Sequence, residues 1–145
     1  MKISDLTYKT NATLLFGEDS GEVLSLCCDS RKVREGDVFI ALKGTAVDGK
    51  QFVEDARAKG ATAAIYTDRA GLAIMADRFY DHPSGKLRLV GITGTNGKTT
   101  TVTLLYHLFR RLGYECGLLS TIANYVGTTR LETTNTVQVV GGEVR

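Results

Sequence analysis

The sequence has little proline, few cysteines and no long apolar segment. One proline stands among 145 residues, and the three cysteines form no C-x-x-C pair of the kind that binds zinc or carries redox chemistry. An odd number of cysteines, two of them adjacent, favours free thiols in a reducing compartment. No apolar run approaches the ~18 residues of a membrane span, and the N-terminus lacks the apolar core of a signal peptide. We therefore expect a cytoplasmic protein with no membrane partner.

The sequence also lacks an excess of charge of either sign. Eighteen Lys and Arg face sixteen Asp and Glu, which gives a formal net charge of +2. A general nucleic-acid binder needs a concentrated basic face, so we expect no nucleic-acid partner. The hydrophobic share of 43% is ordinary for a globular chain. The length leaves room for one average domain or two small ones.

Apolar patterning over the first half of the chain predicts a small α/β domain. Strands are expected at 23–28, 38–42 and 61–66, and helices at 51–59 and 70–80. The strand at 38–42 is apolar throughout, which is typical of a strand buried on both faces. Residues 81–86 contain the proline and follow a helix end, so they are the expected linker. We therefore place two domains, at 1–85 and 86–145.

The second half reads as strand, loop, helix and strand. These elements are expected at 87–92, 93–101, 102–112 and 116–120. This order predicts a βαβ unit with a parallel sheet and a right-handed crossover. The apolar stripe expected on the helix consists of Leu105, Leu108, Phe109 and Leu112. A hairpin is expected at 125–131, and the strand-like residues at 137–142 have no identified partner.

The loop between this strand and helix carries the most specific motif. It reads Thr93-Gly94-Thr95-Asn96-Gly97-Lys98-Thr99-Thr100. Gly94 and Gly97 can adopt backbone angles closed to other residues, so successive N–H groups can point at phosphate oxygens. The helix adds its positive dipole end, and Lys98 adds a full charge for the β- and γ-phosphates. The Thr99 hydroxyl is placed to bind Mg²⁺, which prefers oxygen ligands.

The match to the general phosphate-loop pattern is incomplete. Ile92 stands where G-x-x-x-x-G-K-[ST] has its first glycine. The Gly-Lys-Thr core and its strand–helix context therefore carry the prediction, and a glycine-rich turn with an incidental lysine is the alternative. Considered alone, Asp29-Ser30-Arg31 and the polar residues 133–136 read as ordinary turn and loop.

Taken together, the motifs resemble the Mur ligases, which build the peptide of the bacterial cell-wall precursor. The matching segments are 91–101, Asp29-Ser30-Arg31, 36–44, Asp48-Gly49, Phe52 and 79–84. The resemblance runs to about Thr136 and is strongest to the members that add the third residue of the peptide. It implies an α/β fold, with a small N-terminal UDP-substrate domain followed by the start of a P-loop ATPase domain.

The resemblance also implies a reaction and its partners. A Mur ligase uses ATP to phosphorylate the carboxylate of a UDP-N-acetylmuramoyl-peptide, and the amino group of an amino acid then displaces phosphate. The third-residue members act on UDP-N-acetylmuramoyl-L-alanyl-D-glutamate. The implied cofactors are ATP and Mg²⁺, the implied location is the cytoplasm, and the full-length enzyme is expected to be a monomer.

Site residues follow from the same resemblance. ATP would be held by Gly94, Thr95, Asn96, Gly97, Lys98, Thr99 and Thr100, with Lys98 also catalytic and Thr99 on Mg²⁺. The UDP-linked substrate would be contacted by Cys28, Ser30, Thr45, Ala46, Val47, Asn135 and Thr136.

The likeness ends shortly after Thr136. Val137 and Gln138 stand where the family has threonine and proline, and the remaining central and C-terminal domains do not follow. We therefore expect the N-terminal piece of a ligase, with little or no turnover by itself. The alternatives are an inactive nucleotide- or UDP-sugar-binding remnant, the dipeptide-adding Mur ligase, and a ligase of the folylpolyglutamate synthase type.

Overall fold

The chain folds as two units, each built around its own sheet. The computed structural model describes residues 1–44, 47–131 and 139–143. The first unit is Met1–His82 and the second is Pro83–Arg145. No described helix is long and apolar enough to span a bilayer.

The first unit is a four-stranded sheet with helices on both faces. Its elements are α1 (Ile3–Thr7), β1 (Thr13–Phe16), β2 (Ser25–Cys27), β3 (Asp37–Leu42), α2 (Val53–Ala58), β4 (Ala63–Thr67) and α3 (Arg69–Phe79). A short 3₁₀ helix, Gly49–Phe52, leads into α2. The strand order is β1-β4-β3-β2, in which β2, β3 and β4 are parallel and β1 is antiparallel to β4.

Strand β3 lies at the centre of two apolar clusters, because successive side chains of a strand point to opposite faces. Val38 and Ile40 belong to the cluster that contains Met75 of α3 and the apolar residues of α1. Phe39 belongs to the opposite cluster, with Val53 and its neighbours on α2. The prediction that this strand is buried on both faces is confirmed.

The helices predicted at 51–59 and 70–80 are present with small shifts at their ends, and α1 and β1 are additional. Asp68 caps α3 by accepting a hydrogen bond from the Gly71 N–H at 2.8 Å. Strand β1 has only four residues, of which two are half-buried and two exposed. A segment this short gives too little periodicity to be recognised from sequence.

The second unit contains one long helix and a five-stranded sheet. A 3₁₀ helix, Pro83–Lys86, precedes β5 (Leu87–Gly91), α4 (Lys98–Arg111), β6 (Cys116–Leu119), β7 (Asn124–Val126), β8 (Thr129–Leu131) and β9 (Val139–Glu143). The strand order is β5-β9-β6-β7-β8. The predicted hairpin corresponds to β7 and β8, which pair antiparallel.

Strand β9 changes the expected pairing of the βαβ unit. Strands β5 and β6 run in the same direction, as their order around α4 predicts, but β9 lies between them and is antiparallel to both. The segment that lacked a sequence partner therefore pairs on both sides. Its insertion gives hydrogen-bond partners to the facing edges of β5 and β6, which would otherwise be open.

Helix α4 begins at Lys98, four residues earlier than the helix expected at 102–112. Its buried face is also shifted. Val102 and Tyr106 are buried against Cys116 and Leu118 of β6. The Tyr106 hydroxyl donates a hydrogen bond to the Gly127 carbonyl at 2.6 Å, so its polar end is satisfied where the ring is buried.

The prediction that four apolar residues form one buried stripe on α4 is therefore wrong for two of them. Leu105 and Phe109 pack against the buried cluster, but Leu108 and Leu112 are 50% and 62% exposed. Spacing alone placed all four leucine and phenylalanine residues on one face. The contact with β6 instead selects the face centred on Tyr106.

We predict that Met75→Ala destabilises the first unit by about 2–5 kcal/mol, because it leaves a cavity in the cluster beneath β3. The Met75 side chain is fully buried, whereas its neighbour Ile74 on the same helix is 42% exposed. Ile74→Ala is therefore the matched control, with an expected change below about 1 kcal/mol. Urea unfolding of the two variants measures both values. Equal losses would contradict the burial pattern of α3.

Candidate functional site

The phosphate loop predicted at 93–100 comprises the connection between β5 and α4, residues 92–97, here called the glycine loop, and the start of α4. Two of its residues have left-handed backbone angles, Gly94 with φ +142° and Gly97 with φ +75°. A Cβ on Gly97 would meet no atom within 4 Å. Gly97 is therefore required by its backbone angle rather than by lack of space.

Lys98 holds its ammonium group against the glycine loop. Its Nζ donates hydrogen bonds to the carbonyl oxygen of Gly94 and, at 3.3 Å, to that of Thr95. A full positive charge is thus kept beside the loop backbone, and the lysine side chain is half-buried there.

The N-terminus of α4 adds a partial positive charge at the same place. Gly97 is its N-cap, and the Gly97 carbonyl accepts the first helical hydrogen bond from Thr101 N–H at 2.9 Å. The first turn, all of it within the described residues, carries no acidic side chain. The helix dipole at that turn therefore favours an anion.

Thr99 is the second residue of α4 and is half-buried. Its carbonyl accepts a hydrogen bond from the Thr103 hydroxyl at 2.7 Å. Among the described residues no group of three or more His, Cys, Asp or Glu could hold a metal ion. A cation at this site would therefore depend on hydroxyl oxygen and on the oxygens of its ligand.

The other predicted site residues that the structure describes lie in the first unit. Strands β2 and β3 are parallel, so the chain leaves both toward the same edge of the sheet. Cys28 and Ser30 follow β2, and Val47 lies in the loop after β3. Cys28 and Val47 are exposed and Ser30 is half-buried. Thr45, Ala46, Asn135 and Thr136 fall outside the described residues.

Residues 29–32 form a tight turn, here called the Ser30 turn. The Lys32 N–H donates to the Asp29 carbonyl at 2.9 Å. The Asp29 carboxylate accepts hydrogen bonds from the backbone N–H and the guanidinium of Arg31, at 2.8–3.0 Å. These bonds, chiefly that from the Arg31 side chain, lower the pKa of Asp29 to about 2. The turn therefore keeps its ion pair at neutral pH.

A contact of Tyr66 with Asp48, which sequence analysis did not predict, fixes the end of the loop after β3. The Tyr66 hydroxyl donates to the Asp48 carboxylate at 2.8 Å, and Asp48 also accepts the Lys50 N–H at 2.9 Å. The Lys50 N–H is the larger cause of a lowered Asp48 pKa, and the hydrogen bond to Asp48 raises the pKa of Tyr66. No sequence signal linked Tyr66 to Asp48, because they are 18 residues apart.

Comparison with known families covers both units. The profile described as "Mur ligase family, catalytic domain" matches residues 22–94. The profile described as "Mur ligase middle domain" matches residues 92–140. This chain belongs to the Mur ligase family. The family resemblance predicted from the motifs is thereby confirmed.

Several relatives of this Mur ligase chain carry one name. The proteins from Cytophaga hutchinsonii and Parabacteroides distasonis, each named UDP-N-acetylmuramoyl-L-alanyl-D-glutamate--2,6-diaminopimelate ligase, are 44% and 39% identical to it. Each alignment covers 94% of this chain and 32% of the relative. The chain thus spans about a third of the length of the curated relatives it matches.

Solved structures agree in fold. A structure of UDP-N-acetylmuramoyl-L-alanyl-D-glutamate--2,6-diaminopimelate ligase superposes with a TM-score of 0.65 at 23% identity, over 90% of this chain and 29% of that one. At this identity the likeness establishes the fold alone. The predicted mixed α/β class is confirmed.

We predict that Gly97→Ala destabilises the second unit by about 1–2 kcal/mol, because alanine is strained at a φ of +75°. Gly91→Ala is the matched control: its Cβ would also meet nothing within 4 Å, but its φ is not left-handed. The control should be neutral or slightly stabilising. Urea unfolding distinguishes the two, and equal effects would contradict the conformation assigned to Gly97.

Proposed function

We propose that this chain supplies the UDP-substrate unit and the ATP-binding loop of a ligase that adds 2,6-diaminopimelate to UDP-N-acetylmuramoyl-L-alanyl-D-glutamate. The names of its relatives support the reaction and the amino acid. The observation that carries the proposal is the placement of Lys98, whose ammonium lies against the glycine loop at the start of α4.

The residues of the glycine loop fit a nucleoside triphosphate. Two left-handed glycines, an acid-free helix N-terminus and a lysine ammonium lie within a segment of five residues, Gly94 to Lys98. ATP would be held by residues 94–100, with Lys98 compensating phosphate charge. Thr99 would offer its hydroxyl to Mg²⁺, and the phosphates and water would supply the remaining oxygens.

An ionised carboxylate is a poor electrophile for an amine. Phosphorylation by ATP would give the carboxyl group a phosphate leaving group. The role assigned to this chain is to bind and orient the phosphates. With ATP bound, the ammonium of Lys98 and the N-terminus of α4 would stabilise charge that develops on the transferred phosphoryl group. Because these donors are positioned by the helix, little reorganisation is needed at the moment of reaction.

The Ser30 turn fits the uridine end of the other substrate. Within the described residues the Ser30 hydroxyl makes no hydrogen bond, so it can serve a ligand. A hydroxyl can donate to or accept from a uracil edge. Cys28 follows β2 and Val47 follows β3. Together with Thr45 and Ala46, they would line the pocket for the uracil ring. The predicted substrate contacts of Asn135 and Thr136, which lie outside the described residues, stay predictions.

Lys98→Ala should lower ATP affinity about tenfold to a hundredfold, because a charge-assisted contact to phosphate is lost. Calorimetric titration of the chain with ATP and Mg²⁺ measures this. Arg88→Ala is the control, since it removes an exposed positive charge from β5, outside the glycine loop. ATP affinity unchanged by Lys98→Ala would refute the ATP site.

Ser30→Ala should raise the Kd for UDP-N-acetylmuramoyl-L-alanyl-D-glutamate roughly fivefold to tenfold and leave ATP affinity unchanged. The control is Ser20→Ala, whose exposed hydroxyl contacts Glu18 at 3.4 Å. Calorimetry with each ligand separates the two sites. A variant that loses ATP affinity but keeps affinity for the UDP-linked substrate would overturn this assignment.

A further inference from the structure

Lys59, which lies outside every site predicted from the sequence, reaches the Ser30 turn. Its Nζ donates a hydrogen bond to the Ser30 carbonyl oxygen at 2.7 Å, across 29 residues of sequence. Lys59 is the C-cap residue of α2. In sequence it follows β3, whereas the turn that it contacts precedes β3. The contact therefore joins two connections that the sequence does not relate.

The backbone of Lys59 is itself held firmly. Its N–H lies 3.2 Å from the carbonyl oxygens of both Asp55 and Ala56, and the Ala56 side chain is fully buried. The next residue, Gly60, has φ +93°, and a Cβ there would lie 3.1 Å from Glu35 Cα. The base of the lysine side chain is thus fixed by the end of α2.

The other hydrogen bonds of the Ser30 turn are local. Asp29 bonds to Arg31, to Lys32 and, through its carbonyl, to the Cys27 thiol at 3.3 Å. Such bonds define the shape of a turn but do not attach it to the rest of the unit. Within the described residues, Lys59 makes the one hydrogen bond that connects this turn to a distant element.

The division of groups within Ser30 is consistent with a positioning role. Lys59 donates its hydrogen bond to the backbone carbonyl of Ser30. The Ser30 hydroxyl keeps its capacity to donate to and accept from a ligand.

We propose that Lys59 is a positioning residue for the UDP-linked substrate: it fixes the Ser30 turn against the end of α2 so that the Ser30 hydroxyl faces the ligand. This rests on the proposed function, because it assumes that the turn binds the uridine end. The effect is on substrate affinity and not on ATP, whose proposed loop is in the other unit.

The test compares Lys59→Met, Lys59→Arg and Lys2→Met. Methionine keeps the length of the lysine side chain without its donors, and arginine keeps the charge and the donors. Lys2→Met removes an equal charge from an exposed position of the first unit that lies outside the Ser30 turn. Calorimetry with UDP-N-acetylmuramoyl-L-alanyl-D-glutamate should give a Kd raised about threefold to tenfold for Lys59→Met and within about twofold of the parent for the other two. ATP affinity should be unchanged in all three.

Hydrogen exchange gives a readout that needs no ligand. The amide of Lys32, which closes the turn onto Asp29, should exchange faster in Lys59→Met, whereas amides in β3 should not change. A purely structural role would accelerate exchange in β3 as well and would not leave affinity selectively lowered for one ligand.

The outcomes separate this inference from the proposed function. If the parent chain binds the UDP-linked substrate and Lys59→Met binds it equally well, the inference is wrong and the proposed function stands. If the parent binds ATP but not the UDP-linked substrate, the substrate assignment fails and this inference fails with it. Loss of affinity in Lys2→Met equal to that in Lys59→Met would show a general charge effect and overturn the positioning role.

Discussion

Burial of β3 on both faces is the constraint on which the first unit depends. Its alternate side chains, such as Val38 and Phe39, enter opposite clusters, so the strand must be covered by α1 and α3 on one side and by α2 on the other. Strand β3 pairs in parallel with both neighbours, and its crossover to β4 runs through α2, whereas the chain passes from β2 to β3 without a helix. The connections after β2 and β3 consequently leave toward one edge, where the proposed substrate contacts lie.

The second unit concentrates its chemistry in one junction. Gly97 has a left-handed backbone, α4 starts at the next residue, and the Lys98 ammonium donates hydrogen bonds to the loop carbonyls. Two sources of positive potential therefore meet within a few residues: the helix end and a full charge. Neither requires a distant residue, which explains why a local motif was sufficient to predict an anion site.

Polar contacts between distant residues adjust the loops of the first unit. Lys59 bonds to the Ser30 carbonyl, and Tyr66 bonds to Asp48 at the end of the loop after β3. Both contacts start from elements packed in the core, α2 and β4, and end on connections that carry predicted ligand residues. The rigid elements thus set the positions of the loops, and the short-range bonds within each loop set its local shape.

The sequence by itself determined the family, the α/β class, the strand at 38–42 and the glycine loop, because each depends on local pattern or on a short motif. It did not determine the pairing of β9 between β5 and β6, which depends on which open edges remain after α4 has packed. It also misjudged the buried face of α4: helical spacing allows the stripe through Leu108, but contact with Cys116 and Leu118 buries Tyr106 instead. The contact of Lys59 with Ser30 belongs to the same class, since hydrogen bonds between residues far apart in sequence exist only once the tertiary structure has brought them together.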